Sequence, residues 1–306
     1  MTKDAATSGQ PAVGKRLALP AKLSLTRGLV AAWSDMLAHA AGQVERAPND
    51  PVVAVHEFRK SIRRTRSMLR LLRHSLPKAK YKRLRIDLRA LHRSTSRLRD
   101  RHVVLHTLTN LSLPDELAEP VRAHISVAEP TRPDDALAAL LETLDDIEAA
   151  RVRLKTALPR KVRWRMLTKD LQDTYRRARK DMRATARGRD DDAVHDWRKR
   201  TKELVYQVEL LTHGARKGHG RKLRRQLAGL AETLGQVIDL ETLASYVTQH
   251  VPHDAHGPLL RAIERARRGH QRQALATGKR LFKKKPGQFT RRFIAKSKRA
   301  HKAARS

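Results

Sequence analysis

Two short segments carry the chemistry this sequence offers: Val55-His56-Glu57-Phe58-Arg59-Lys60 and Val194-His195-Asp196-Trp197-Arg198-Lys199. Each places a histidine, an arginine and a lysine at positions i, i+3 and i+4, and a further cation follows at Arg63 and Lys202. On a helix these side chains share one face. Arginine forks and lysine point charges suit phosphate oxygens, and imidazole adds a group that titrates near neutrality. The set His56, Arg59, Lys60, Arg63 with His195, Arg198, Lys199, Lys202 therefore reads as a candidate anion-binding constellation.

The two segments belong to an internal repeat. His195 lies 139 positions after His56, and the same shift pairs Arg63 with Lys202, Leu71-Leu72 with Leu210-Leu211, Leu84 with Leu223, Leu91 with Leu230 and Asp100 with Asp239. One offset holds over this stretch without an insertion, which basic low complexity alone does not produce. Each copy has a separate apolar stripe: Phe58, Ile62, Thr65, Leu69, Leu72 and Leu76 in the first, Trp197, Thr201, Leu204, Val208 and Leu211 in the second. The ordinary reading of a cationic stripe is a solvated face. Against it, Arg64 becomes Glu203 and Arg70 becomes Glu209, so the second copy sheds charge elsewhere yet keeps the histidine, arginine and lysine set. Like charges one turn apart also cost an isolated helix about 0.2–0.5 kcal/mol per pair, and a ligand with spaced negative charge reverses that sign.

Asp100 and Asp239 each stand 44 positions after the histidine of their copy. They suit either metal ligation or general-base work on one side, or an ion pair orienting a cation of the stripe on the other. The orienting role is the better reading, because a free carboxylate in a basic pocket competes with an anionic ligand. His195-Asp196 spells a dipeptide of metal-dependent phosphohydrolases, and His102 and His106 stand at i, i+4. That chemistry needs more converging His and Asp ligands than the stripes supply, and Glu241 and Ser245 replace His102 and His106 in the second copy. No phosphate-cradling glycine loop, serine-nucleophile motif or dinucleotide fingerprint occurs. No catalytic residue, metal or cofactor is expected.

The elements that must hold these residues are helical. Leu, Ala, Arg, Lys, Glu and Gln dominate, and Pro and Gly gather at a few breaks. Helices are expected at about 24–47, 51–75, 78–112, 134–158, 161–187, 190–213, 219–250 and 256–283, with loose basic ends at residues 1–20 and 286–306. The 306 residues carry 67 Lys+Arg against 31 Asp+Glu, a formal net charge of +36. That excess calls for a polyanionic partner and argues against a neutral small-molecule enzyme. Forty per cent apolar residues is too many for a disordered basic tail. The absence of cysteine removes disulfides and thiolate sites, and no signal peptide or membrane-spanning run is present, so a cytoplasmic protein is expected. The fold class expected from the repeat is all-α: two similar, pseudo-symmetric four-helix bundles, 21–159 and 160–285.

Two Val-His-x-x-Arg-Lys helices, Leu98-Arg99-Asp100 in the first copy, Tyr206-Gln207-Val208-Glu209-Leu210-Leu211 in the second and Phe282-Lys283-Lys284-Lys285-Pro286 near the end resemble the CHAD family, the conserved histidine α-helical domain. The resemblance runs from about residue 20 to 295. It implies two four-helix bundles related by a pseudo-twofold axis, with a basic channel that binds inorganic polyphosphate without catalysis. Some members associate with polyphosphate granules. By position the binding role falls on the eight cations named above. One departure is Ser96-Arg97-Leu98-Arg99 where a glycine-containing turn is common; the second copy keeps Gly235.

Weak, sequence-independent nucleic-acid binding through Lys283–Lys285 and the 291–305 stretch is the main rival. Aromatic residues make up only 4%, leaving few stacking platforms for single strands, and no helix-turn-helix, zinc finger or RNA-recognition signature appears. A metal-dependent phosphohydrolase is a weaker alternative. Membrane-surface binding through Phe282, Phe289, Phe293 and Ile294 is another, though such residues more often pack a final helix onto a bundle.

Overall fold

In the computed structural model the described residues are 17–20, 22–94, 100–111, 115–127, 133–188, 192–212, 220–251 and 256–305. Among them the chain forms α-helices and no strand. In chain order these are α1 (Leu25–Ala41), α2 (Gln43–Arg46), α3 (Pro51–Leu71), α4 (Lys78–Ser94), α5 (Asp100–Asn110), α6 (Asp115–Val127) and α7 (Pro133–Leu141). They continue as α8 (Leu144–Ala157), α9 (Trp164–Arg187), α10 (Ala193–Leu211), α11 (Arg221–His250), α12 (His256–Leu281) and α13 (Pro286–Ala303).

Local chemistry sets the helix limits. Ser24 caps α1 by accepting the Arg27 N–H at 3.4 Å, and Asp50 caps α3 by accepting the Val53 N–H at 3.2 Å, with Pro51 in the first turn. Gly188 ends α9 with φ of 61°, a left-handed conformation that suits glycine.

Helices α1, α3, α4 and α8 pack around one another, as do α9, α10, α11 and α12, and the buried side chains of both groups form one continuous core. Phe58 of α3 and its repeat counterpart Trp197 of α10 are both fully buried. Gly278 of α12 lets the indole in: a β-carbon there would lie 2.5 Å from Trp197 Cζ2.

The structure corrects several expected limits. The helix expected over 78–112 is two elements serving different cores. Leu84, Leu88 and Leu91 of α4 join the main core, whereas Val104 and Leu108 of α5 join a second cluster with Val121 of α6, Leu243 and Val247 of α11 and Ile263 of α12. Residues 100–127 thus leave the first group of helices and cover the second. Helix α6 fills a stretch for which no helix is expected, with Pro120 inside it. Gly42 divides the first expected helix, and the 134–158 helix divides at Glu142-Thr143. The expected loose ends are corrected where they are described; residues 1–16 lie outside the described residues. Leu17 and Leu19 are buried, and 286–303 is α13, because Phe293 and Ile294 pack inward and Phe289 stacks on Tyr175 at 4.2 Å. The Tyr175 hydroxyl lies 3.2 Å from the carbonyl oxygens of both Leu281 and Lys284, which fixes the turn into α13.

The crossing of α3 and α10 matters most for function. Ser67 Oγ donates to the Glu203 carbonyl at 2.8 Å, and Gln207 Nε2 donates to the Ser67 carbonyl at 3.3 Å. On either side, Arg64 pairs with Glu209 at 3.6 Å and Arg70 pairs with Glu203 at 3.1 Å. The pairs run crosswise in the repeat: Glu209 is the counterpart of Arg70, and Glu203 is the counterpart of Arg64. A local twofold relation between the two helices requires that exchange. The Arg64–Glu209 side chains are only 8% and 5% exposed. Glu209→Ala is therefore expected to strand a buried guanidinium and lower unfolding stability by about 3 kcal/mol, whereas Arg64→Met with Glu209→Met should lose less than half of that. Equal losses in denaturant unfolding would mean that the buried charge is not what the pair controls.

Candidate anion-binding groove

Above that crossing lies a groove in two parts, of about 560 and 1070 Å³, which have Arg198, Lys202 and Tyr206 as common lining residues. Its walls come from both copies. Helix α3 supplies His56, Lys60, Arg63, Arg66 and Arg70; α10 supplies Arg198, Lys199, Arg200 and Lys202; α4 adds Arg85 and Arg89. The apolar stripes turn α3 and α10 inward on one side, and this leaves the cationic stripes facing a common space.

Six of the eight cations expected from sequence line the groove: His56, Lys60 and Arg63 on α3, and Arg198, Lys199 and Lys202 on α10. Lys60 is paired with Glu57 at 2.7 Å, and Lys199 with Asp196 at 3.2 Å. Two point elsewhere. Arg59 is buried and donates to the His92 carbonyl at 3.3 Å, tying α3 to the last turn of α4. His195 sits 3.7 Å from Glu241 of α11, which also holds Arg267 at 3.6 Å. The His195-Asp196 dipeptide is thus split, its histidine against α11 and its aspartate at the groove edge. Asp239 lines the wider part of the groove; the Asp100 side chain lies outside the described residues.

Sequence reasoning missed Arg66 and Arg200, the α4 pair Arg85/Arg89, and His270 of the wider part, and it weighed His106 only as a metal ligand. Arg66 follows Arg63 by one turn, and Arg85/Arg89 stand at i, i+4, so a stripe was present in each case. Nothing in the sequence said that α4 would face α10. Gly235, by contrast, was noted as a motif residue, and its α-carbon side lies against the Arg198 guanidinium, with an added β-carbon 3.6 Å from Nε.

Cations outnumber carboxylates along the lining, and several of them are crowded together. Arg66 and Arg70 titrate below the usual guanidinium value, chiefly through desolvation, with neighbouring guanidiniums opposing their charge and Glu203 supporting it. His56 is held below its ordinary value by desolvation first and then by Arg63, with Lys60 and Lys202 adding to the effect and Glu57 opposing it. Every one of these groups gains if an anion enters. The two parts of the groove differ: arginine prevails in the narrower, while His56, His106 and His270 line the wider together with Glu232 and Asp239.

Comparison with known proteins agrees with this architecture. The CHAD domain family model matches residues 28–248, well over half of the sequence. The chain belongs to the CHAD family. Its fold is similar to the crystal structure of the CHAD domain from the plant Ricinus communis, with a TM-score of 0.58 at 20% identity, covering 89% of this chain and 97% of that one. No curated protein matches the sequence. Membership accounts for the paired histidine helices and for an all-α fold. No described helix is long and apolar enough to cross a membrane.

The His56 environment yields a pH test. Because its folded-state pKa is depressed, the unfolded chain takes the proton more readily, and His56 weakens folding as pH falls below about 6.5. Imidazole titration by NMR should place His56 below that value in the free CHAD protein and move it upward when tripolyphosphate is added. A free-state value at or above 6.5 that tripolyphosphate leaves unchanged would show that the cations do not act on it.

Proposed function

We propose that this CHAD protein binds inorganic polyphosphate in the groove between α3 and α10, without converting it chemically. The observation that carries the reading is that cations from both copies line each part of the groove: Arg63 with Arg198 and Lys202 in one, His56 and Lys60 with the same Arg198 and Lys202 in the other. Polyphosphate is a thin, flexible strand of negative charge with no bases to read. Charge density and groove width are enough to hold it, and arginine forks with lysine point charges match its oxygens. A concave, two-walled site contacts such a strand from opposite sides, which an exposed stripe on a single helix does not do. Localisation to polyphosphate granules would follow from binding long chains in this way, in a cytoplasmic protein.

The non-catalytic part of the proposal rests on the carboxylates. Asp196 holds Lys199, Glu203 holds Arg70 and Arg200, and Glu57 holds Lys60. These acidic groups position cations, a role opposite to the activation of water for attack on phosphorus.

Replacing Arg63 and Lys202 together by alanine tests the site. Labelled long-chain polyphosphate should bind the variant at least tenfold more weakly, and the log–log salt slope should flatten by about 1.4 if each residue neutralises one phosphate of a single strand. Thermal unfolding should be nearly unchanged. Unaltered affinity and slope would remove the groove as the binding site.

A further inference from the structure

Residues 265–306 contain sixteen Lys and Arg and no Asp or Glu. Arg267 and Arg268 are held by Glu264, whose carboxyl is pulled down to about 2, chiefly by its hydrogen bond from Arg267. The charge farther along falls on α13 and has a different setting. The inward face of this helix is fully occupied: Thr290, Phe293, Ile294, Ser297 and His301 are buried, and Phe289 stacks on Tyr175. With those rings packed, α13 has no aromatic anchor left to sink into a lipid surface.

The outward face is cationic around about half of the helix. At 100° per residue, Arg291 and Lys298 form one row seven residues apart, and Arg292 and Arg299 form a second; all four are exposed. An edge-on contact between Trp164 and His301, with ring centroids 5.6 Å apart, brings the start of α9 beside the end of α13. Arg163, Arg165 and Lys169, also exposed, enlarge the patch there. No lining residue of either part of the groove comes from α9 or α13.

We infer that this convex face is a second anion surface, separate from the groove, which docks the phosphate backbone of duplex nucleic acid. Shape decides between polyanions. A convex ridge cannot enclose a thin single strand, but 18 helical residues span about 27 Å. That is the length of about eight base pairs, over which a duplex presents a dense and rigid array of phosphates. Lys and Arg on α13 supply donors and charge to phosphate oxygens, contacts that fix position on the duplex and carry no sequence information of their own. The two rows of like charge repel along the helix, and phosphates laid against them relieve that repulsion.

The test uses the full chain and a labelled DNA duplex of random sequence, with anisotropy followed over a range of salt. The variant Arg291→Gln, Arg292→Gln, Lys298→Gln, Arg299→Gln should bind the duplex at least tenfold more weakly, with a log–log slope flatter by about 3.6 if each residue neutralises one phosphate, while its polyphosphate affinity stays unchanged. The Arg63→Ala, Lys202→Ala variant should keep duplex binding. Wild-type protein carrying one equivalent of polyphosphate should still bind duplex, a result that needs no substitution in α13. The inference is overturned if the fourfold variant binds duplex as well as wild type, if polyphosphate displaces duplex one for one, or if the patch holds anionic vesicles and not duplex. Failure of polyphosphate to bind wild-type protein, with duplex binding intact, would instead refute the groove's proposed function and leave this surface standing.

Discussion

Everything about the groove depends on a crossing where carboxylates of α10 meet guanidiniums of α3. Two helices rich in arginine have to approach closely for their cationic stripes to face one cavity. If both copies of the repeat kept arginine at the positions of Arg64 and Arg70, four guanidiniums would meet at the crossing. Two like charges 4 Å apart repel by about 4 kcal/mol at an effective dielectric of 20. The second copy instead has Glu203 and Glu209, and the crosswise pairing gives Arg64 and Arg70 each a carboxylate from the opposite helix. Ser67 and Gln207 then bond across the point of closest approach. With the floor paired in this way, the cations above it are left to act on solvent and solutes.

That division explains an otherwise odd feature of the repeat. Read as sequence, the change of Arg64 to Glu203 and of Arg70 to Glu209 is a loss of charge at two positions of a basic helix. In the structure it marks the boundary between floor and wall. The apolar stripes and the shared offset both rested on periodicity, which survives folding because burial enforces it. Arg59 and His195 lie outside the groove lining for a different reason. Each lies on the right face of its helix, but the last turn of α4 offers Arg59 a carbonyl and α11 offers His195 a carboxylate. A neighbour arriving from far away in the chain takes the side chain, and no local pattern announces it. The same holds for α5, whose residues look like a continuation of α4 until the core cluster they join is known.

The groove is not uniform, and this bears on how it would treat a long anion. Arginines of the narrower part keep their charge at any physiological pH, whereas the wider part mixes three histidines with two carboxylates. A strand lying along both would be held firmly at one end and conditionally at the other. Helix α5 contributes His106 to the wider part while resting on a small core of its own, so the wall there is tied less directly to the main body than the α3–α10 crossing is.

The most direct measurement is lysine acetylation of the wild-type protein with and without saturating long-chain polyphosphate, read residue by residue by mass spectrometry. The account predicts that Lys60 and Lys202, on opposite walls of one groove, become protected together, with Lys298 of α13 modified as before. Protection spread evenly over the surface, or concentrated on α13 with Lys60 and Lys202 unaffected, would contradict it.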